Sequence, residues 1–289
     1  MKSLFTIACA AITLMACTGN AASKGEAAAG DSTAAAVSNE TLATSQVHLV
    51  GTMSDNECQI ELALQMDDNF HCAGYVLYPE SEPTFVAGWM DSYYGDDGED
   101  VEYHNIRLTE YQADGTLTGR FVIHLEKHGE SDAYVFSDAE RTYISHSEDE
   151  DDSTAPIINV TCSGEMPEWF TESPFIPASY DDIATNYAYD LYGPDAYGEI
   201  LIEKLGDGKL TFHAIDVADD SYAVNELNSA EGRPAQMQGN TFEYKDANDC
   251  GYTLSASFFK NFCVLETQQV VSDKEYCPYI NTYLIKQKQ

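Results

Sequence analysis

Short alternating runs of apolar and polar residues, separated by tight-turn pairs, set what this chain can fold into. Alternation of period two gives a strand one apolar face. An Asp-Gly pair supplies the positive φ angles of a two-residue hairpin turn. Ile106–Tyr111 leads into Asp114-Gly115 and then Leu117–Glu126. Gly198–Leu205 runs into Asp207-Gly208 and then Lys209–Asp216. Gly239-Asn240 joins Ala235–Gln238 to Thr241–Tyr244, and Lys260-Asn261 joins Tyr252–Phe259 to Phe262–Thr267. Upstream, Cys58–Leu64, the turn Asp67-Asp68-Asn69 and Phe70–Tyr78 form strand, turn and strand. Further strands are expected at 83–90, 132–137, 140–146 and 157–162, with Tyr279–Ile285 as a closing strand.

These runs predict an all-β chain with two antiparallel β-sandwich or barrel domains. The first spans 46–172. Pro167, Pro174 and Pro177 mark a boundary among aromatic residues. A connector and first-strand region covers 173–196, and a small barrel or sandwich covers 185–289. The 19 Tyr and 12 Phe favour strands over helices. Trp89 is expected in the first core. Tyr180, Tyr187, Tyr189, Tyr192 and Tyr197, with Trp169 upstream, form either an exposed gripping surface or an interdomain seam plus a first strand. The seam is favoured.

The N-terminus has a separate character. Met1-Lys2-Ser3 precedes an apolar run from Leu4 to Ala16, which makes residues 1–16 a signal peptide. The run is shorter than the ~20 residues a spanning helix needs. Leu14-Met15-Ala16-Cys17 resembles the lipobox of bacterial lipoproteins. That resemblance implies lipidation at Cys17 and a membrane partner reached through the anchor. Thr18 stands where many inner-membrane lipoproteins have Asp, so the expected location is the outer membrane of the cell envelope. Residues 17–45 are rich in Ala, Ser, Thr and Gly and read as a flexible tether.

Charge narrows the partners. Forty-nine acids against 14 Lys and Arg give a formal charge of −35. Such a surface repels phosphate backbones, which argues against nucleic acid, and attracts basic proteins or peptides. Solubility alone is the competing explanation. Two runs concentrate the acid: Asp96-Asp97-Gly98-Glu99-Asp100, and Glu148, Asp149, Glu150, Asp151 and Asp152. Both are expected to be solvated loops and the first places a basic partner would touch. Neither has the alternating order of an EF-hand loop.

Once Cys9 leaves with the signal and Cys17 is lipidated, Cys58, Cys72, Cys162, Cys250, Cys263 and Cys277 remain. An even count in an exported chain suggests up to three disulfides, in any of fifteen pairings. Register about Lys260-Asn261 puts Cys263 opposite Phe258 and residue 250 opposite 271. The candidate pair is therefore Cys250 with Cys277, a few residues beyond.

Two looser resemblances follow. The stretch Ile106-x-Leu108-x-Glu110-x-x-x-Asp114-Gly115-x-x-Thr118-Gly119-x-Phe121 is similar to exported proteins of Gram-negative gut bacteria, and implies fold more than activity. Glu231-Gly232, Gly239-Asn240-Thr241, Tyr244, Cys250-x-x-x-Leu254, Cys277 and Tyr283 resemble a small β-barrel module of secreted bacterial proteins. Such modules sometimes accompany lysozyme-inhibitor domains. The module's further cysteine before the Glu-Gly pair is missing here. The Ser-Gly-x-x-Tyr loop of the membrane-bound lysozyme inhibitors is missing too, because Ser163-Gly164 runs on into Glu165-Met166-Pro167.

Chemistry-bearing patterns are few. On a strand, His124, Glu126 and His128 share one face, a possible metal triad. Their same-face spacing of ~6.6 Å is awkward for one ion without a bulge, and a wet strand face gives the same pattern. No nucleophile elbow, zinc-protease motif, phosphate loop or dinucleotide fingerprint is present. No cofactor is implied. The expectation is a non-enzymatic envelope lipoprotein that binds a protein partner. The alternatives are a glycan-binding accessory and a lysozyme- or protease-inhibitor-like protein.

Overall fold

The computed structural model describes residues 45–94, 101–112, 115–128, 134–145, 152–192, 196–217, 224–230, 232–245, 252–269 and 281–286. Cys17, Asp96, Asp97, Glu148, Asp149, Glu150, Asp151, Cys250 and Cys277 lie outside the described residues.

The all-β architecture read from the hairpin rhythm is what the chain adopts. The first eight strands are β1 (Gln46–Met53), β2 (Gln59–Met66), β3 (His71–Leu77), β4 (Thr84–Tyr94), β5 (Val101–Tyr111), β6 (Leu117–His128), β7 (Val135–Tyr143) and β8 (Ser153–Ser163). Each pairs antiparallel with the next, and β1 pairs back onto β8, so the sheet closes as a barrel. Alternation fills it: Leu49, Leu62, Leu64, Val76, Val86, Ile106, Leu108, Phe121 and Ile123 form one buried cluster. Eight strands leave a bore that side chains can fill.

Besides buried His104, a polar pair interrupts that apolar filling. Glu110 and Arg141 are in phase with the inward series on β5 and β7, and both are buried. Arg141 Nη2 and Nε donate to Glu110 Oε2 at 2.6 and 3.1 Å, and Nη2 also reaches the Thr118 carbonyl at 3.3 Å. The guanidinium lies 4.0 Å from the centre of the Tyr143 ring. Gly119 makes room for the pair. A Cβ there would sit 2.7 Å from Glu110 Oε2 and 2.8 Å from Arg141 Nη2.

Residues 164–185, which hold the three boundary prolines, contain among the described residues a 3-10 turn, Tyr180–Asp182, and an isolated bridge of Pro177 with Phe259. A second sheet follows: β9 (Asn186–Tyr192), β10 (Ala196–Gly206), β11 (Lys209–Val217), β12 (Val224–Asn228), β13 (Ala235–Gln236), β14 (Thr241–Lys245), β15 (Tyr252–Phe258), β16 (Phe262–Gln269) and β17 (Asn281–Lys286). Its order is β12-β11-β10-β9-β17-β16-β15-β14, with β13 beside β11. Two antiparallel meanders are thus joined by β17 against β9. The sheet curls around Ile200, Ile202, Leu210, Phe212, Phe242, Leu254 and Phe258. No helix among the described residues is long and apolar enough to cross a membrane.

Turn chemistry holds at two of the expected hairpins, while about Gly239-Asn240 only the bridge of Gln238 with Thr241 forms, because Ala235-Gln236 pairs with β11 and Thr241–Lys245 with β15. Asp207 (φ 52°) and Gly208 (φ 70°) both take the left-handed conformation of a type I′ turn. Phe258 pairs with Cys263 and Tyr252 with Gln269, the register read from the Lys260-Asn261 turn.

Several expectations are corrected. The strands expected at 132–137 and 140–146 are one, β7. His124 faces Asp138 while Leu125 faces Phe136, so Ser137 is an extra residue that shifts the alternation midway. Trp89 is not in the first core. It falls on the outward phase of β4, between buried Gly88 and Met90, and is 41% exposed. Three disulfides do not form, because Cys58, Cys72, Cys162 and Cys263 are not in disulfides. Cys72 and Cys162 belong to the first barrel's core and Cys263 to the second, where each packs as a small apolar side chain.

Candidate functional site

Beyond His71, the strand β3 (sequence HCAGYVL) carries apolar or aromatic residues on both faces, unlike a strand with one wet side. Its outward residues are His71, Ala73 and Tyr75, and those of β4 include Phe85 and Ala87. Ala73 and Ala87 are fully buried and belong to the same cluster as Phe262, Val264 and Ile285 of the second sheet. The two sheets therefore pack through a continuous seam. Phe85 meets Phe262 with ring centres 5.5 Å apart, and Tyr75 meets Phe170 at 6.0 Å. Phe262 is itself held between Phe175 at 5.7 Å and Phe259 at 4.8 Å. Polar ties flank the rings: Ser173 Oγ donates to Gln65 Oε1 at 2.5 Å, and His71 Nε2 lies 3.4 Å from Glu266 Oε1.

At one end the seam opens into a cleft of about 1040 Å³. Tyr75, Phe85 and Tyr111 wall it from the first barrel, Ile183 and Ala184 from the connector, and Ile285 from β17 of the second sheet. The volume is at the upper end of ordinary ligand pockets, ~300–1,000 Å³. Exposed Glu82, Asp181 and Asp182 rim it. Two lysines also line it, and both are engaged. Lys204 Nζ donates to the carbonyls of Asp181 and Ile183, each at 2.9 Å, and Lys286 Nζ to that of Asp182 at 3.1 Å. They anchor the 3-10 turn by neutralising its carbonyl ends, so their ammonium groups point at backbone rather than at the carboxylates. Asp182 also accepts the Ser179 hydroxyl at 2.6 Å. Burial pushes the Tyr75 phenol up, with the Asn261 side chain pulling the other way, so Tyr75 stays a neutral hydrogen-bonding group at neutral pH.

Antiparallel order fixes which loops share the cleft's end. The β3–β4 connection, with exposed Glu80 and Glu82, and the β7–β8 connection turn at that end of the first barrel. The Glu148–Asp152 run lies within the second of these. Its described member, Asp152, is exposed and accepts the Ser145 N–H at 3.0 Å. Asp96 and Asp97 fall in sequence between β4 and β5, outside the described residues.

The residues considered for a metal are placed as alternation requires. Phe121, Ile123 and Leu125 point inward, while His124 and Glu126 lie on the outer face of β6. His128 closes the strand, and its side chain lies outside those described. His124 Nδ1 is 2.6 Å from Asn105 Oδ1, and Nε2 is 3.6 Å from the Asp138 carboxylate, both on neighbouring strands. Among the described residues no group of three His, Cys, Asp or Glu is placed to hold a metal.

The aromatic cluster divides between core and seam. Tyr187 is fully buried against Phe258, and its hydroxyl accepts the Ala184 N–H at 3.1 Å. The Tyr180 hydroxyl donates to the Lys209 carbonyl at 2.6 Å and accepts the Gly206 N–H at 2.9 Å, clasping the β10–β11 hairpin. Trp169 packs on Phe170 at the seam. The side chains of Tyr189, Tyr192 and Tyr197 lie outside those described.

The chain matches no protein-family model, no curated protein and no solved structure.

Proposed function

We propose that this chain is a non-enzymatic lipoprotein of the cell envelope, anchored through Cys17, that takes an extended basic segment of a protein partner into the cleft between its two sheets. One observation carries the reading: the cleft is rimmed by exposed carboxylates while its own lysines are tied to backbone carbonyls. A partner's Lys or Arg side chains meet Glu82 and Asp181 there, and their alkyl stems lie along Tyr75 and Phe85. The overall charge of −35 adds a long-range field that speeds encounter with a basic partner and fades with salt.

The test is binding of Lys- and Arg-rich peptides beside neutral ones at low and moderate salt. Glu82→Gln and Asp181→Asn are each expected to weaken binding about 1.5- to 5-fold, as exposed ion pairs do. Equal binding of basic and neutral peptides, or unchanged affinity in both variants, overturns the reading. A glycan ligand is the second reading, supported by the Tyr75 and Phe85 walls and by exposed Trp89. Sugar binding insensitive to salt decides in its favour. Anchoring is tested by Cys17→Ala, which is expected to leave the protein unlipidated and free of membranes.

A further inference from the structure

His71 stands where the two sheets meet, with a carboxylate against each ring nitrogen. Nδ1 is 2.9 Å from Asp67 Oδ2, in the β2–β3 turn of its own barrel. Nε2 is 3.4 Å from Glu266 Oε1, on β16 of the other sheet. The His71 side chain is 15% exposed, and those of Asp67 and Glu266 are 27% and 41% exposed. The charged groups that act on it are Asp67 and Glu266. The residue across β4 is Trp89, and the strand neighbours of Glu266 are Ser255 and Asn281, all uncharged.

We propose that His71 is a pH-governed tie between the two sheets, set at the end of the seam away from the cleft. Only an imidazolium can donate from both nitrogens. A neutral ring keeps one proton and turns a lone pair toward the other carboxylate. Geometry decides which arm is lost. Asp67 is the nearer partner, and its carboxylate is fixed by the backbone N–H groups of Asn69 and His71, each at 2.9 Å. The last proton therefore stays on Nδ1, and the arm that fails is the one to Glu266, between the sheets.

The sign follows from the surroundings. Burial pulls the His71 pKa down, but Asp67 and Glu266 together outweigh it and raise it above its ordinary value. The tie is complete below about pH 6.5, the unperturbed imidazole value. It is lost as pH rises through the raised value. The seam keeps its aromatic contacts throughout, so deprotonation loosens the sheets rather than separating them.

The test reads seam opening directly. Ala87 is 1% exposed and covered by the second sheet, so a thiol in Ala87→Cys reacts only when the seam opens. Its labelling rate in the full chain is measured at pH 6 and pH 9, divided by that of a peptide thiol at the same pH, and assigned by peptide mapping. A rise of about 1.5- to 5-fold is expected at pH 9, the range for a partly exposed ion pair. His71→Gln and Glu266→Gln, each on the Ala87→Cys background, are expected to label at the higher level at both pH values. An unchanged ratio in the parent, or an equal pH response in Glu266→Gln, overturns the proposal. Nitrogen-15 NMR of His71 gives a readout that needs no cysteine: both ring nitrogens protonated at pH 6, Nδ1 alone at pH 9. A retained Nε2 proton at pH 9 overturns the assignment of the failing arm. No ligand enters either measurement, so failure of the cleft reading leaves both intact.

Discussion

Removing Glu110 leaves Arg141 as an unpaired charge inside the first barrel. The side chains are 4% and 6% exposed, so water does not replace the lost carboxylate. Arg141 keeps the Thr118 carbonyl at 3.3 Å and the Tyr143 ring, but loses both short contacts to Oε2. Breaking one side of a buried pair costs about 3–5 kcal/mol. At ~2–4 °C per kcal/mol for a chain of this size, Glu110→Ala is expected to lower Tm by roughly 6–20 °C. The double variant Glu110→Met/Arg141→Met removes both charges and fills the space with apolar atoms. It is expected to recover most of the loss, because well-packed apolar replacements of buried pairs are about neutral or stabilising by ~1–4 kcal/mol. Thermal unfolding followed by circular dichroism closes the cycle. A Glu110→Ala protein within about 1 kcal/mol of the parent, or a double variant as unstable as the single, refutes the reasoning.

Gly119→Ala presses a methyl against the same pair and is expected to cost about 1–3 kcal/mol, a typical overpacking penalty, measured by urea unfolding. Phe70 is 51% exposed and held at φ 65°, so Phe70→Asn is expected to stabilise by about 1 kcal/mol, since Asn tolerates the left-handed region that a bulky side chain resists. Burial pushes the Cys72 and Cys263 thiols far up, and both are expected to stay unlabelled by iodoacetamide at pH 8 until the chain unfolds. Rapid labelling of the native protein contradicts that expectation.

The hairpins were legible because their determinants are local. Asp207-Gly208 states its turn type in two residues, and the Lys260-Asn261 turn fixes every pair up to Tyr252 with Gln269. Ser137 was not legible: a single extra residue on β7 carries no local mark, so one strand looked like two. Trp89 was misplaced because size and apolarity were weighed above phase, and phase put it outside. The ion pair left a trace in the sequence, since Glu110 falls in step with Ile106 and Leu108. Its partner is 31 residues away, and nothing local names it. The cleft was the least accessible feature. It depends on one sheet covering another, and its sequence sign is that beyond His71 the outer positions of β3 are Ala73, Tyr75 and Leu77.

Chain order gives the topology a kinetic side. Every pairing in the first barrel joins consecutive strands except the closing one, where Leu49 meets Cys162. As the chain emerges during synthesis, β1 finds β2 at once, yet its other edge waits more than a hundred residues for β8. At ~5–20 residues per second this is on the order of 5–20 s with a bare β-edge open to self-association. The second sheet carries the same delay to its last strand. Until β17 arrives, β9–β12 and β14–β16 are two meanders without the strand that joins them. A nascent chain of this kind suits a holding chaperone that masks strand edges, and loss of the residues from Asn281 onward removes the strand that links the two meanders of the second sheet.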